Sequence, residues 1–162
     1  MVAIRLAGPA DAEAVRTIYN LEVTTATSTF DLVPRSLTQQ EHWLAQRSGA
    51  FSAIVAELDA DVVGFASLSP YKERAAYRTT VEDSVYVARD HGGRGIGTAL
   101  LERLVEIATA SGFHTVIARV EASSESSRAL HIKCGFELVG IERQVGRKFN
   151  RWLDVAILQR ML

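Results

Sequence analysis

With 162 residues, 48% of them hydrophobic and 23% charged, the chain is long enough to bury a real core and has the balance of an ordinary soluble globular protein. A formal net charge of −1 gives no global argument for nucleic acid or a membrane surface as a partner. The single cysteine, Cys134, cannot form an intrachain disulfide, the start MVAIRLAGPADAEAVR lacks the apolar run of a signal peptide, and no apolar stretch approaches the ~18–20 residues of a membrane span, so the expectation is one cytoplasmic domain over residues 1–162.

In chain order, Val2 to Leu6 reads as a first strand. Pro9 suits a first helical turn, and Ala14, Ile18 and Leu21 recur at helical spacing up to about Glu22. Thr24 to Ser36 is polar and β-branched and reads as a loop, and Leu37 to Arg47 as a second helix. Phe51 to Leu58, the turn Asp59-Ala60-Asp61 and Val62 to Ser69 make a hairpin that stops at Pro70. A charged loop, Tyr71 to Thr79, leads into a strand over Thr80 to Val87. Gly95 to Ser111 carries Ile96, Leu100, Leu104 and Ile107 on one helical face and stops at Gly112. His114 to Glu121 is a strand, Ser124 to Cys134 a helix closed by Gly135, and two strands follow from about Phe136 and Trp152. The order βα(α)βββαβαββ is α+β in character and predicts a mostly antiparallel sheet flanked by about four helices.

The junction between the Thr80–Val87 strand and the next helix reads RDHGGRGIGT over residues 89–98. A helix N-terminus leaves N–H groups unpaired and partly positive, and the glycines at 92, 93, 95 and 97 let that backbone approach an anion such as phosphate. A tight turn with close helix–sheet packing is a competing reading. No Gly-Lys-Ser/Thr follows, and the third glycine of GxGxxG falls on Thr98 or Leu100, so neither a P-loop nor a dinucleotide fingerprint is present.

The segment VYVARDHGGRGIGTALLERLVEIA resembles motif A of the GNAT superfamily of acyl-CoA-dependent N-acetyltransferases. That resemblance implies a Q/R-x-x-G-x-G/A loop, here Gly92-Gly93-Arg94-Gly95-Ile96-Gly97, holding the pyrophosphate of acetyl-CoA, with Thr98 beside it. It departs from the pattern at Gly92, where the family has Gln or Arg. TVEDSVYV over 80–87, Leu130-His131 ahead of Gly135-Phe136, and QVGRKFNRWLD over 144–154 resemble the phosphinothricin and methionine sulfone/sulfoximine N-acetyltransferases more narrowly. Ile18-Tyr19-Asn20 and the Thr/Ser-rich loop up to Phe30 are similar to that group as well. Ser124 stands where the family usually has an asparagine that contacts coenzyme A, and it is expected to cap the helix and still offer a hydroxyl.

Acetylating an amine requires a free lone pair, a polarised thioester carbonyl and a proton for the departing thiolate. Glu82 lies mid-strand, sharing a face with Ser84 and Tyr86 and opposite Val81, Val85 and Val87. A solvated glutamate in a cross-strand ion pair is the competing reading, and the resemblance favours Glu82 as general base. His131 stands where many family members place a tyrosine that protonates the thiolate; it reads as that acid, as a relay for a proton from the amine, or as a buried histidine bonded to a backbone carbonyl. Polarisation of the carbonyl is expected from backbone N–H groups around Val85-Tyr86-Val87, freed by a β-bulge.

Lys72, Arg74 and Arg78 are candidates to hold an amino-acid carboxylate, against the alternative of a solvated loop, and Phe30 either closes over the substrate or anchors the core. Ser84 is a further substrate-side candidate. Cys134 reads as helix-end packing, and histidines 42, 91, 114 and 131 lack metal-site spacing, so no metal is expected. The resemblance implies a homodimer that transfers acetyl from acetyl-CoA to the α-amine of a small amino acid or analogue; from charge and composition, no nucleic-acid or membrane partner is expected. A protein N-terminus or polyamine as acceptor, or a non-catalytic acyl-CoA-binding protein, are the alternatives.

Overall fold

The computed structural model describes residues 1–162. Seven strands form one sheet in the order β1-β2-β3-β4-β5-β7-β6. They are β1 (Ala3–Leu6), β2 (Ala53–Leu58), β3 (Asp61–Pro70), β4 (Thr80–Val87), β5 (Thr115–Glu121), β6 (Glu137–Lys148) and β7 (Arg151–Met161). Four α-helices flank it: α1 (Ala12–Thr25), α2 (Leu37–Ala45), α3 (Ile96–Ala110) and α4 (Glu125–Lys133). Every neighbouring pair is antiparallel except β4 and β5, which α3 connects as a parallel crossover. The α+β, mostly antiparallel expectation therefore holds.

Local chemistry accounts for the boundaries. Helix α2 opens with a capping box, in which Gln39 N–H donates to Ser36 Oγ at 3.1 Å and Ser36 N–H to Gln39 Oε1 at 2.8 Å. Helix α1 runs three residues beyond the expected Glu22. The hydroxyls of Thr24 and Thr25 turn back onto Asn20 O at 3.0 Å and Leu21 O at 2.5 Å, which carries two β-branched residues into its last turn.

The sheet buries a different cluster on each face. On one, Ile96, Leu100 and Leu104 of α3 meet Leu68 of β3, Val81 of β4, and Val116, Ala118 and Val120 of β5. On the other, Val15, Ile18, Tyr19 and Val23 of α1 meet Val55 and Phe65. Tyr86 belongs to this second face, its ring edge-on to Tyr19 at 5.3 Å and stacked on Phe65 at 5.2 Å. Strand alternation then fixes β4: Glu82, Ser84 and Tyr86 face α1, while Val81, Asp83, Val85 and Val87 face α3 and α4.

The parallel ladder between β4 and β5 covers only Thr80–Glu82 against Thr115–Ile117. Beyond Glu82 the two strands separate, and this split creates the site.

Candidate active site

A cleft of about 560 Å³ opens at the split, within the range of small-molecule sites. Both faces of β4 border it, Asp83, Val85 and Val87 from one and Ser84 and Tyr86 from the other. That is possible only where the sheet has parted, so the cleft passes from the α3–α4 side through to the α1 side.

On the α3–α4 side lies the glycine loop. Ala88 N–H bonds to Val63 O of β3 at 2.8 Å, so by alternation the N–H groups of Val87 and Val85 point away from β3, toward the split. The expected β-bulge is absent: β4 stays in register with β3 from Val81↔Pro70 to Val87↔Gly64. Those N–H groups face the cleft because the β5 ladder ends, with no irregularity in β4 needed. Further on, the N–H groups of Gly93, Arg94, Gly95, Ile96, Gly97 and Thr98 have no acceptor in the protein. Six consecutive unpaired donors at the start of a fifteen-residue helix make an anion seat.

The glycines divide by role. Gly93 and Gly95 have φ of +74° and +78°, left-handed values that glycine adopts without strain, and a Cβ on either would stand in open space. Gly92 has φ of −62°, and a Cβ there would make only an ordinary contact at 3.5 Å. A side chain therefore fits at 92. All the expected cofactor-side residues border the cleft except Arg94, which is exposed outside it. Ile96 borders the cleft while its side chain is buried in the core. Ser124 precedes α4 at the cap position, but with ψ at 84° its hydroxyl makes no capping bond, contrary to expectation.

His131 lies in α4 at the same end of the cleft, buried, with Nδ1 2.7 Å from Ser127 O and Nε2 2.7 Å from Asp83 Oδ2. The carbonyl contact considered from the sequence is present, and a carboxylate completes it. Burial disfavours the imidazolium, but the hydrogen bond and charge of Asp83, with the Ser127 carbonyl, outweigh it and raise the His131 pKa. Asp83 is the residue that sequence reasoning missed. Its signal was its position between Glu82 and Ser84, on the face of β4 that is otherwise valine.

Glu82 is on the opposite, α1-facing side, half-buried, in no ion pair and, unlike Asp83 and Ser84, not itself bordering the cleft. Burial raises its pKa, the charge of Arg119 opposes this, and that of Asp83 adds to it. Arg119 belongs to the same face, two residues beyond Ile117, the register partner of Glu82. It borders the cleft and donates to Glu142 Oε1 at 2.7 Å. Arg119 was likewise missed, because only the pairing of β5 with β4 brings it to Glu82.

The substrate-side candidates separate. Ser84 borders the cleft. Lys72, Arg74 and Arg78 are all exposed on the loop between β3 and β4, in no ion pair and outside the cleft, and Lys72 Nζ sits over the rings of Tyr71 and Tyr77 at 4.9 and 5.3 Å. Phe30 packs against Gly146 of β6 and anchors the α1–α2 loop, while Ser28 of that loop borders the cleft. Cys134 is buried where α4 ends, and no three His, Cys, Asp or Glu side chains converge as a metal site would require. No helix is long and apolar enough to cross a membrane.

Comparison with known proteins identifies relatives of this chain. The sequence model of the acetyltransferase (GNAT) family matches residues 15–136. The chain is 39% identical over 158 residues to an L-methionine sulfoximine/L-methionine sulfone acetyltransferase of Pseudomonas paraeruginosa, covering 96% of this chain and 92% of that one. Among solved structures, it is similar to a phosphinothricin acetyltransferase from Sinorhizobium meliloti in complex with acetyl-CoA, at TM-score 0.95 and 37% identity over 99% of this chain and 88% of that one. It is also similar to a ribosomal-protein-alanine N-acetyltransferase from Brucella melitensis, at TM-score 0.96 and 40% identity, covering 99% of both chains.

Proposed function

The chain belongs to the acetyltransferase (GNAT) family and is an acetyl-CoA-dependent N-acetyltransferase, and from that premise we propose that its acceptor is the α-amine of a small amino acid or analogue of the methionine sulfone, methionine sulfoximine or phosphinothricin type. The observation that carries this reading is that Arg119, a cation bordering the cleft, lies on the face of β5 that Glu82 shares on β4, where the two strands part. An α-amino acid presents an ammonium and a carboxylate together, and a base beside a cation matches that pair. The relatives named for methionine sulfone, methionine sulfoximine and phosphinothricin support the same acceptor class. We further place the enzyme in the cytoplasm, as one domain over residues 1–162.

The geometry supports the following division of roles. The unpaired N–H groups from Gly93 to Thr98 hold the pyrophosphate, and those of Val85 and Val87 polarise the thioester carbonyl. Glu82, its pKa raised by burial, takes a proton from the ammonium directly or through water, and the freed amine attacks the carbonyl carbon. The carbon–sulfur bond breaks with its electron pair on sulfur, and His131 supplies the proton that yields the free thiol.

A protein N-terminus is the second reading, favoured by the 40% identity to the ribosomal-protein-alanine enzyme. The two differ in whether the acceptor carries a free carboxylate. Methionine sulfone or sulfoximine should react roughly 10–100-fold more efficiently than its amide, since a charge-assisted contact is worth about 1.5–3 kcal/mol. Arg119→Ala should remove most of that preference, through KM; Ala substitutions at Lys72, Arg74 and Arg78 test the exposed cations in the same assay. Equal turnover of acid and amide would overturn the amino-acid reading in favour of a peptide acceptor.

A further inference from the structure

Both nitrogens of the His131 ring face acceptors, Ser127 O at 2.7 Å from Nδ1 and Asp83 Oδ2 at 2.7 Å from Nε2. A carbonyl oxygen only accepts, so Nδ1 carries a proton whatever the state of the ring. One further proton is then shared along the line from Nε2 to Oδ2. Either an imidazolium faces a carboxylate, or a neutral imidazole faces a carboxylic acid.

We propose that Asp83 is a positioning residue of the reaction, holding His131 doubly protonated so that it serves the departing thiolate as an acid and is barred from serving the amine as a base. This rests on the reading of His131 given under Proposed function. It also divides the two proton transfers between the two sides of the split, Glu82 on one and His131 on the other.

The surroundings of the ring leave Asp83 in control. Phe136 covers it edge-on, with ring centres 5.0 Å apart. Cys134 follows at the end of α4, its thiol pushed up first by burial and then by Glu102 of α3, with Arg160 of β7 and Lys133 opposing. Asp83 is the one charged side chain bonded to the ring, and it acts on His131 through both its hydrogen bond and its charge. The other oxygen of Asp83, Oδ1, is buried and without a partner. A half-paired buried carboxylate opposes folding, a cost that an apolar residue at 83 would avoid. In the reaction, sulfur draws the Nε2 proton away from Oδ2 as the carbon–sulfur bond breaks. A neutral ring would then turn its Nε2 lone pair toward the carboxylate, and this repulsion draws a proton back from water before the next turnover.

The test follows the ring itself. Imidazole ¹⁵N shifts of His131 in the ligand-free protein, titrated from about pH 5 to about pH 9, should report a doubly protonated ring at about pH 7. In Asp83→Asn the ring should lose its proton at least about 1 pH unit lower, a tenfold loss of proton affinity. Asp83→Ala gives the same comparison if the amide disturbs folding. The alkaline limb of kcat/KM should move down with it, at unchanged KM for acetyl-CoA, whereas a residue that merely props α4 would lower the rate without moving the limb. A neutral ring at about pH 7 in the unmodified protein, or an unmoved titration in the variants, overturns the proposal. If the ring titrates as expected but His131→Asn turns over normally, the acid role of His131 is what fails, and the pairing stands without a catalytic purpose.

Discussion

The ring of Phe30 rests on the backbone of Gly146, so closely that a Cβ at 146 would force the ring to shift. Two residues on, on the same face of β6, the buried Lys148 donates to Thr29 O at 2.8 Å. The loop that brings Ser28 to the cleft is therefore clamped to β6 by one apolar and one polar contact. Gly146→Ala should destabilise the protein by about 1–3 kcal/mol through overpacking and raise KM for the acceptor. Combining it with Phe30→Ala should recover most of the loss in a denaturant double-mutant cycle. Simple additivity of the two changes would show that the ring does not press on Gly146.

Glu82→Gln keeps the shape of the side chain and removes the base. Turnover should fall ~10²–10⁴-fold with acetyl-CoA binding nearly intact. Stability should move the other way. Burial raises the folded-state pKa of Glu82, so the folded chain binds this proton more tightly than the unfolded one, and ionisation opposes folding as pH rises through the folded value. The variant should thus melt higher than the unmodified protein at neutral pH, and the advantage should vanish in acid, below the unfolded value of about 4.3. Near-normal turnover at neutral pH would return Glu82 to a surface role.

The glycine loop makes opposite predictions at two positions. Acetyl-CoA at about 100 times its Kd should stabilise the protein by about 2.7 kcal/mol, and equal NAD or ATP should do little. Gly95→Val forces a β-branched residue to φ of +78° and should abolish that shift in melting temperature while leaving the protein folded. Gly92→Gln enters space the structure leaves open and restores a donor that the family pattern has there. It should lower KM for acetyl-CoA severalfold. Unchanged affinity in both variants would separate the glycines from phosphate binding.

Assembly is testable at the far edge of the sheet. β6 pairs only with β7, and Leu138, Val139, Ile141, Val145, Phe149 and Trp152 of this hairpin are each more than 40% exposed. Such an apolar edge suits a two-fold contact with a second copy. Sedimentation at micromolar concentration should give a dimer, and Ile141→Glu with Trp152→Glu a monomer. A monomer before any substitution would count against the contact.

Periodicity and punctuation are local properties, and they determined this protein's elements. Ile96, Leu100, Leu104 and Ile107 specify α3 because a helix brings every third or fourth residue to one face, whatever it packs against. Alternation alone set Glu82, Ser84 and Tyr86 together, and the four glycines marked the anion seat before any partner was visible. What tertiary structure decided are relationships between residues far apart in the chain. His131 meets Asp83 across 48 positions, and nothing in either neighbourhood encodes that distance. Arg119 shares a sheet face with Glu82 only because β5 pairs with β4, and the cleft opens where that pairing ends after three residues. Where a ladder stops depends on a balance of packing over the whole sheet. The same holds for Phe30, whose partner is a glycine more than a hundred residues away. Local sequence carries the chemistry of each group; long-range packing decides which groups meet.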